Sequence, residues 1–205
     1  MTPTKPWNSV MSTPSVDLYF NFRSPYCYLI SHSIFERLAN YKTQLHFYPL
    51  GGWDGRSPPE RAKVKVPLTR QDVKRWCKRL GVPFNPPPIT TDPTPAALVS
   101  IAAGECGQLE PYVKQVMWQE GAGGQDIGQT EVLSKVAVSA GLEEGVVEHA
   151  LTSAQYKLQL QENWARASDA GVIGVPTFVV GEEIFWGNDR MDFVEEYLEE
   201  LGLKA

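Results

Sequence analysis

The sequence contains few of the residues that build metal centres and disulfide frameworks. Its 205 residues include three cysteines and three histidines. Cys27, Cys77 and Cys106 lie far apart, and no two of them form a Cys-x-x-Cys pair. Disulfide frameworks use an even number of cysteines, and structural zinc sites use closely spaced pairs. The sequence therefore argues against both kinds of framework, and without paired histidines it predicts no metal site.

Positive charge and long apolar segments are also scarce. Asp and Glu number 24 against 19 Lys and Arg, for a formal net charge of -5. Proteins that bind nucleic acid through its phosphates carry a basic surplus, which argues against a nucleic-acid partner. No apolar run approaches the roughly 20 residues of a membrane span, which argues against a membrane partner. Residues 1–15 are rich in Pro, Ser and Thr without a signal-peptide pattern, so we expect a flexible leader on a cytoplasmic protein.

The first part of the chain carries the pattern of a βαβ unit. Residues 16–22 alternate between apolar and other side chains, as in a strand. Serine is a favoured N-cap and proline a favoured first helical residue, so Ser24-Pro25 predicts a helix that continues to Leu38. Residues 44–50 form a second predicted strand.

A helical region and a second group of strands follow. Residues 51–67 are predicted to be a Gly/Pro-rich connection, and helical periodicity continues from Thr69 to about residue 170. Apolar residues at 177–180 and 184–186, on either side of a Gly-Glu turn, predict a β-hairpin, with a final helix after it.

The order βαβ, helices, ββα predicts an α/β fold, a thioredoxin-like domain interrupted by an all-helical insertion. The expected thioredoxin-like domain comprises residues 16–57 and 171–205. The expected helical insertion domain comprises residues 58–170.

Ser24 is the first candidate for chemistry. The leading N–H groups of a helix lack partners and the helix dipole adds positive charge there, so a thiolate is stabilised at that position. Redox enzymes place the first cysteine of Cys-x-x-Cys at such a helix start. Here Ser24 takes the first position and Cys27 the fourth. The Ser24 hydroxyl can donate a hydrogen bond to a thiolate supplied by another molecule, or it can serve only as an N-cap.

Two further segments carry polar or special backbone groups. Val175-Pro176 directly precedes a predicted strand, and an X-Pro bond is cis in some tight turns. In such a turn the Val175 backbone is free to pair with an extended peptide. Asn188-Asp189 begins the last helix, where these residues either cap the helix or bind the charged groups of a ligand.

Residues 22–29, 174–177 and 185–190 together resemble the 2-hydroxychromene-2-carboxylate isomerase family. That family is related to the kappa-class glutathione transferases within the DsbA-like thioredoxin superfamily, and the resemblance covers about Val16 to Leu201. It implies a thioredoxin domain with a helical insertion, glutathione as cofactor, and a homodimer.

The resemblance also implies individual roles. Ser24 is the catalytic serine that contacts the glutathione sulfur, and Lys65 binds the tripeptide. Val175 pairs its backbone with the glutathione cysteine, beside a cis Pro176. Asn188 and Asp189 bind the γ-glutamyl end.

Three further residues are candidates because they depart from the family pattern or adjoin the serine. Arg56 lies where the kappa-class pattern has an asparagine that touches glutathione. Cys27 lies where related enzymes often have serine, although free cysteine is most often a small buried apolar residue. Arg23 adds positive charge next to Ser24, where it would assist the thiolate or an anionic substrate.

The predicted function is a glutathione-dependent isomerase of an aromatic ring-cleavage product. The resemblance indicates 2-hydroxychromene-2-carboxylate or a near relative, to which the thiolate adds reversibly, so that glutathione is not consumed. A kappa-like glutathione transferase or peroxidase, which consumes glutathione, is the first alternative. A peptide-binding module without catalysis and thiol–disulfide exchange through Cys27 are the others.

Overall fold

A four-stranded sheet forms the centre of the fold in the computed structural model, which describes residues 14–52 and 58–205. The strands are β1 (Ser15–Phe20), β2 (Gln44–Pro49), β3 (Thr177–Val180) and β4 (Glu183–Trp186). Their spatial order is β2-β1-β3-β4, with β1 parallel to β2 and antiparallel to β3. β3 and β4 form the predicted hairpin. The sheet therefore joins the two ends of the chain, and the helical region lies between β2 and β3 in sequence.

The described helices flank this sheet and fill the region between β2 and β3. They are α1 (Pro25–Ser31), α2 (Ile34–Leu38), α3 (Pro59–Leu80), α4 (Thr94–Glu105), α5 (Leu109–Gly121), α6 (Thr130–Ser139), α7 (Val146–Thr152), α8 (Ala154–Asp169) and α9 (Met191–Glu200). A short 3₁₀ helix, Asn188–Arg190, directly precedes α9.

The first predicted helix is in fact two helices. We expected one helix from Ser24-Pro25 to Leu38, but α1 ends at Ser31 and α2 begins at Ile34. Ser33 leaves helical geometry with φ -137° and ψ -17°. The Ser31 hydroxyl also bonds the Tyr28 carbonyl at 2.8 Å, a local side-chain bond of the kind that weakens helix interiors.

Helix α3 begins earlier than predicted. The prediction was wrong because the prolines of this segment are typical of a loop. The prediction placed a connection over residues 51–67 and a helix from Thr69, with Asp72 in a capping arrangement. A proline fits the first turn of a helix, where its missing N–H is not needed, and α3 starts this way at Pro59. Pro67 lies inside the helix and removes one backbone hydrogen bond. Lys65 therefore lies on a helix rather than in a surface loop.

The helical region shares an apolar core with the sheet. The ring of buried Phe22 lies 6.2 Å from the ring of Phe47 on β2 and 6.2 Å from that of Tyr112 on α5. On the other side, Asn163 of α8 donates to the Pro49 carbonyl at the end of β2 at 3.0 Å. These contacts fix the helical region against the C-terminal ends of β1 and β2, where Ser24 follows.

Some sequence-based expectations are not tested by this architecture. The domain boundaries at residues 57–58 and 170–171 stay predictions. Of the expected leader, residues 1–13 lie outside the described residues, and Ser15 is already part of β1. Across residues 14–52 and 58–205, no helix is both long and apolar enough to cross a membrane. The same ranges contain no cluster of three metal-ligating side chains.

Candidate active site

Ser24 caps helix α1 and also contacts the loop before β3. Its extended backbone, with φ -85° and ψ 120°, lets Oγ accept a hydrogen bond from the Cys27 N–H at 3.3 Å. The hydroxyl donates to the Val175 carbonyl at 3.2 Å. A serine hydroxyl has a single proton, so Ser24 must rotate it away from Val175 before it can donate to a ligand. Pro25 has no N–H, and the Tyr26 N–H has no intrahelical partner at this position.

The Val175–Pro176 bond is cis in the structure. The Thr177 hydroxyl closes the turn with a 2.6 Å bond to the Gly174 carbonyl, and the Pro176 carbonyl accepts from the Gly187 N–H at 2.9 Å. In the part of the chain that the structure describes, the Val175 N–H donates no hydrogen bond. Ser24 and the Val175 backbone are thus adjacent, and the Val175 N–H remains available to a ligand.

Gly174 makes room for a large aromatic side chain beside this turn. A Cβ at Gly174 would lie 2.6 Å from Nε1 of Trp186, a residue at the end of β4 that is about half exposed. The indole therefore lies against the backbone just before Val175. Trp186 thus lies beside the turn that contains the cis bond.

A cavity of about 420 Å³ lies beside the first turn of α1. Its lining residues are Tyr26, Arg61, Val64, Lys65, Leu68, Thr69 and Asp72. Arg61 and Lys65 are four residues apart and therefore share one face of α3. The lining combines two cations and one carboxylate, Asp72, with exposed apolar side chains, and this surplus of positive charge suits an anionic ligand with an apolar portion. A second cavity of about 450 Å³, along β2 and α4, contains none of the predicted site residues.

Tyr26 connects helix α1 to the cavity. Its hydroxyl donates to Asp72 Oδ2 at 2.9 Å. Burial, the bond to Asp72 and the charges of Asp72 and Asp189 raise the pKa of Tyr26 to about 12, so the phenol stays protonated. The Asp189 carboxylate therefore lies close enough to Tyr26 to act on its pKa.

Asn188 and Asp189 lie in the 3₁₀ turn between β4 and α9. Asp189 Oδ2 pairs with Arg190 at 3.0 Å, and its side chain is 42% exposed. Gly187 precedes the turn with φ 123°, and a Cβ there would lie 2.5 Å from Asp189 Oδ1. Glycine is therefore needed at this position for the carboxylate to fold back toward the turn.

Neither Arg23 nor Cys27 is among the residues that line the cavity beside α1. Arg23 pairs with Glu120 of α5 at 3.0 Å, and the Arg23 side chain is 17% exposed. Cys27 is fully buried, and burial raises the pKa of its thiol to about 12. Arg56 lies outside the described residues. The structure thus groups Ser24, Val175 and Pro176 around the start of α1, with Lys65 in the cavity beside it and Asp189 near Tyr26.

We expect Cys27 to be unreactive in the native protein at neutral pH. A neutral alkylating reagent should label exposed Cys106 at least about a hundredfold faster than Cys27, because the thiolate is the reactive form. Peptide mapping after timed alkylation measures each rate. Rapid labelling of Cys27 would contradict this prediction and favour thiol–disulfide exchange.

Several residues of the site were not identified from the sequence. Arg61 shares a face with Lys65, but that relation is visible only once α3 is known to start at Pro59. Tyr26 was assigned to the apolar face of α1 and Asp72 to a helix cap, whereas they bond each other. Glu120, 97 residues from its partner Arg23, has no local signal.

The polar groups of the site fit glutathione. The two carboxylates of glutathione need cations, its ammonium needs an anion, and its peptide backbone and thiol need hydrogen-bond donors. Lys65 and Arg61 would supply cations, and Asp189, which also pairs with Arg190, would supply a carboxylate for the ammonium. The Val175 N–H fits an extended peptide, and the Ser24 hydroxyl with the start of α1 fits a thiolate.

Comparison with known proteins identifies relatives that match most of the chain. A family model described as "DSBA-like thioredoxin domain" matches residues 15–199. The 2-hydroxychromene-2-carboxylate isomerase of Sphingobium xenophagum is 28% identical over 195 residues, which covers 91% of this chain and 98% of that protein. Glutathione S-transferase kappa 1 of Caenorhabditis elegans is 25% identical over 209 residues, covering 91% and 92%.

The solved structures include a close match in architecture. A 2-hydroxychromene-2-carboxylate isomerase superposes with a TM-score of 0.77 at 25% identity, covering 91% of this chain and 95% of that one. The resemblance predicted from the three sequence segments is confirmed, and so is the thioredoxin-like fold with helices between its two strand pairs.

Proposed function

Because the chain belongs to the DsbA-like thioredoxin family, we propose that it is a glutathione-dependent isomerase of a 2-hydroxychromene-2-carboxylate-like aromatic ring-cleavage product. Its relatives are isomerases and a glutathione transferase, which supports an enzyme of this kind. The observation that carries the proposal is the adjacency of the Ser24 hydroxyl and the Val175 backbone at the start of α1. A serine replaces the first cysteine of a redox pair there, so the thiol must come from a ligand.

Glutathione, when bound, would supply a nucleophilic thiol that is regenerated at the end of the reaction. The residues of the chain would bind and orient it. Lys65 would bind a carboxylate, Val175 would pair with the peptide backbone, and Asn188-Asp189 would bind the γ-glutamyl end beside cis Pro176. Ser24 and the helix start would favour the deprotonated sulfur, and each unit by which its pKa falls corresponds to about 1.4 kcal/mol.

The cavity beside α1 supports an aromatic carboxylate as substrate. Val64 and Leu68 are exposed by 66% and 60%, and they lie on α3 with the two cations of the cavity. An apolar ring would cover the two aliphatic side chains while a carboxylate contacts Arg61. The half-exposed indole of Trp186 adds an apolar surface near the cis bond.

A thiol-balance assay tests this function. The protein is incubated with glutathione and 2-hydroxychromene-2-carboxylate, and both the product and the total free thiol are followed. Product formation with constant thiol supports the isomerase, whereas the absence of both glutathione binding and turnover overturns the proposal. Loss of thiol, tested also with chlorodinitrobenzene as electrophile, indicates the glutathione transferase alternative that the Caenorhabditis elegans relative favours.

Substitution of Lys65 tests the binding of the tripeptide. Lys65→Met should raise the dissociation constant for glutathione about tenfold to a hundredfold, because it removes a hydrogen bond to a charged group. Lys63→Met is the matched control, since Lys63 lies on the same helix, is not among the residues that line the cavity and is 72% exposed. Calorimetric titration of both variants measures the difference. Equal affinities in the two variants would contradict the role of Lys65.

Homodimer formation is a further part of the proposal. Light scattering coupled to size-exclusion chromatography measures the mass directly. A mass twice that of the 22.8 kDa chain supports it, and a monomer mass contradicts it.

A further inference from the structure

A buried ion pair joins the residue before Ser24 to the end of helix α5. Arg23 Nη1 donates to Glu120 Oε1 at 3.0 Å, and the Glu120 side chain is only 3% exposed. Arg23 Nη2 also donates to the Pro88 carbonyl, in the loop between α3 and α4, at 3.2 Å. Arg23 belongs to the turn Asn21–Ser24, called the serine turn below, and its side chain thus contacts two segments of the helical region.

Asn21 holds the same turn from the opposite side. Its carbonyl accepts from the Ser24 N–H at 3.0 Å, and its Oδ1 accepts from the Arg23 N–H at 2.8 Å. Its Nδ2 donates to the Leu50 carbonyl, just after β2, at 2.6 Å. Ser24 is therefore fixed between an anchor to the sheet through Asn21 and an anchor to α5 through Arg23.

The end of α5 is itself held closely against α1. A Cβ at Gly121 would lie 2.4 Å from the ring of Tyr28, so α5 packs directly on that ring. The Tyr28 hydroxyl donates to the Pro83 carbonyl at 2.6 Å. A buried charge without a partner is strongly unfavourable, so loss of either Arg23 or Glu120 must disturb this contact.

We propose that Arg23 and Glu120 are positioning residues that clamp the serine turn to α5, so that the helical region sets where the Ser24 hydroxyl meets the thiolate. The presence of a glutathione thiolate at Ser24 rests on the proposed function. The charge of Arg23 is used within the clamp rather than directed at a ligand. Its Nε is buried and has no hydrogen-bond partner in the described part of the chain.

The ionisable groups around the clamp determine the conditions for testing it. Glu120 faces Arg23 and also influences Cys27 and Tyr28, while Arg23 influences Asp126. Burial raises the pKa of Glu120 to about 7, although Arg23 acts to lower it. At about pH 8 the carboxylate is charged, and the test is carried out there.

The three cysteines report on the clamp in the ligand-free protein. Cys27, one helical turn after Ser24, reports local opening of the serine turn. Cys77, buried on α3, reports wider opening, and exposed Cys106 reports reagent activity. Glu120→Ala should speed alkylation of Cys27 at least about tenfold while the rates at Cys77 and Cys106 stay unchanged.

Further variants test whether the change in the Cys27 rate is specific to the Arg23–Glu120 pair. Arg23→Met combined with Glu120→Leu should return the Cys27 rate to within about threefold of wild type, since an apolar pair leaves no buried charge. Glu195→Gln removes a carboxylate that pairs with Arg37 on a different surface, and it should change no rate. If Glu120→Ala does not fold, Glu120→Gln replaces it, with an expected increase of about threefold or more at Cys27.

A second measurement separates positioning from simple stability. The pKa of bound glutathione, read from the ultraviolet absorbance of its thiolate, should rise in the Glu120 variant. An unchanged Cys27 rate, equal increases at Cys27 and Cys77, or an unchanged glutathione pKa would each overturn the clamp. If wild-type protein does not bind glutathione, the proposed function fails, and the alkylation rates alone decide whether the clamp exists.

Discussion

Replacement of Ser24 by alanine is expected to lower turnover about a hundredfold to a thousandfold while the fold survives. Removal of one hydrogen-bond donor aimed at developing charge typically has an effect of this size. The Ser24 hydroxyl is a side-chain donor at the start of α1, and alanine leaves the backbone N–H groups there in place. Steady-state rates with glutathione and the chromene carboxylate, measured beside the circular dichroism spectrum, test the expectation.

The control for this substitution must reproduce the loss of a helix cap. Ser24 Oγ accepts from the Cys27 N–H at 3.3 Å, and Ser153 Oγ at the start of α8 accepts from the Tyr156 N–H at 3.2 Å. Loss of such a cap costs about 0.5–2 kcal/mol of stability in either place. Ser24→Ala and Ser153→Ala should therefore lose similar stability, and only the first should lose activity.

These two variants also show whether the Ser24 hydroxyl donates a hydrogen bond to the thiolate or serves only as an N-cap. If Ser24→Ala retained full turnover, Ser24 would be a cap alone and the catalytic role would be wrong. Comparable losses of activity in both variants would attribute the defect to stability. A rise in the pKa of bound glutathione in Ser24→Ala, absent in Ser153→Ala, would show that the hydroxyl acts on the sulfur.

The local chemistry of the chain predicted the parts of this site that depend on short segments. Ser24-Pro25 predicted a helix start because both residues have strong positional preferences there. Val175-Pro176 suggested a cis turn, and the apolar runs on either side of Gly181-Glu182 predicted β3 and β4. These features depend on neighbouring residues, so one sequence contains the information needed.

The parts that the sequence did not predict depend on distant partners or on unusual local choices. Proline at two positions of α3 made its first half resemble a loop, so the shared face of Arg61 and Lys65 was hidden. Arg23 was expected to act on the ligand, because its neighbour is Ser24 and its partner Glu120 is 97 residues away. Only the folded arrangement of α1 and α5 brings that carboxylate to the serine turn.

The Arg23–Glu120 pair should also make the stability of the protein depend on pH in an unusual direction. Burial raises the pKa of Glu120 from 4.5 to about 7. Between these values the unfolded chain has released the proton and the folded chain retains it, so stability falls as pH rises. The stability that protonated Glu120 contributes is fully present below its pKa in the unfolded chain. It is lost as pH rises through the pKa of Glu120 in the folded protein.

The expected size follows from the shift. Between about pH 5 and about pH 8, the free energy of unfolding of wild type should fall by about 2 to 3 kcal/mol more than that of Glu120→Gln, which has no proton to lose. Urea unfolding at both pH values measures the difference.

Glu110→Gln is the control, because Glu110 lies on the same helix, pairs with Lys114 at 2.7 Å and is 48% exposed. In Glu110→Gln the free energy of unfolding should change with pH as it does in wild type. Parallel pH curves for wild type and Glu120→Gln would instead mean that Arg23 keeps the carboxylate ionised throughout, and the clamp would then be a permanent ion pair that does not titrate near neutral pH.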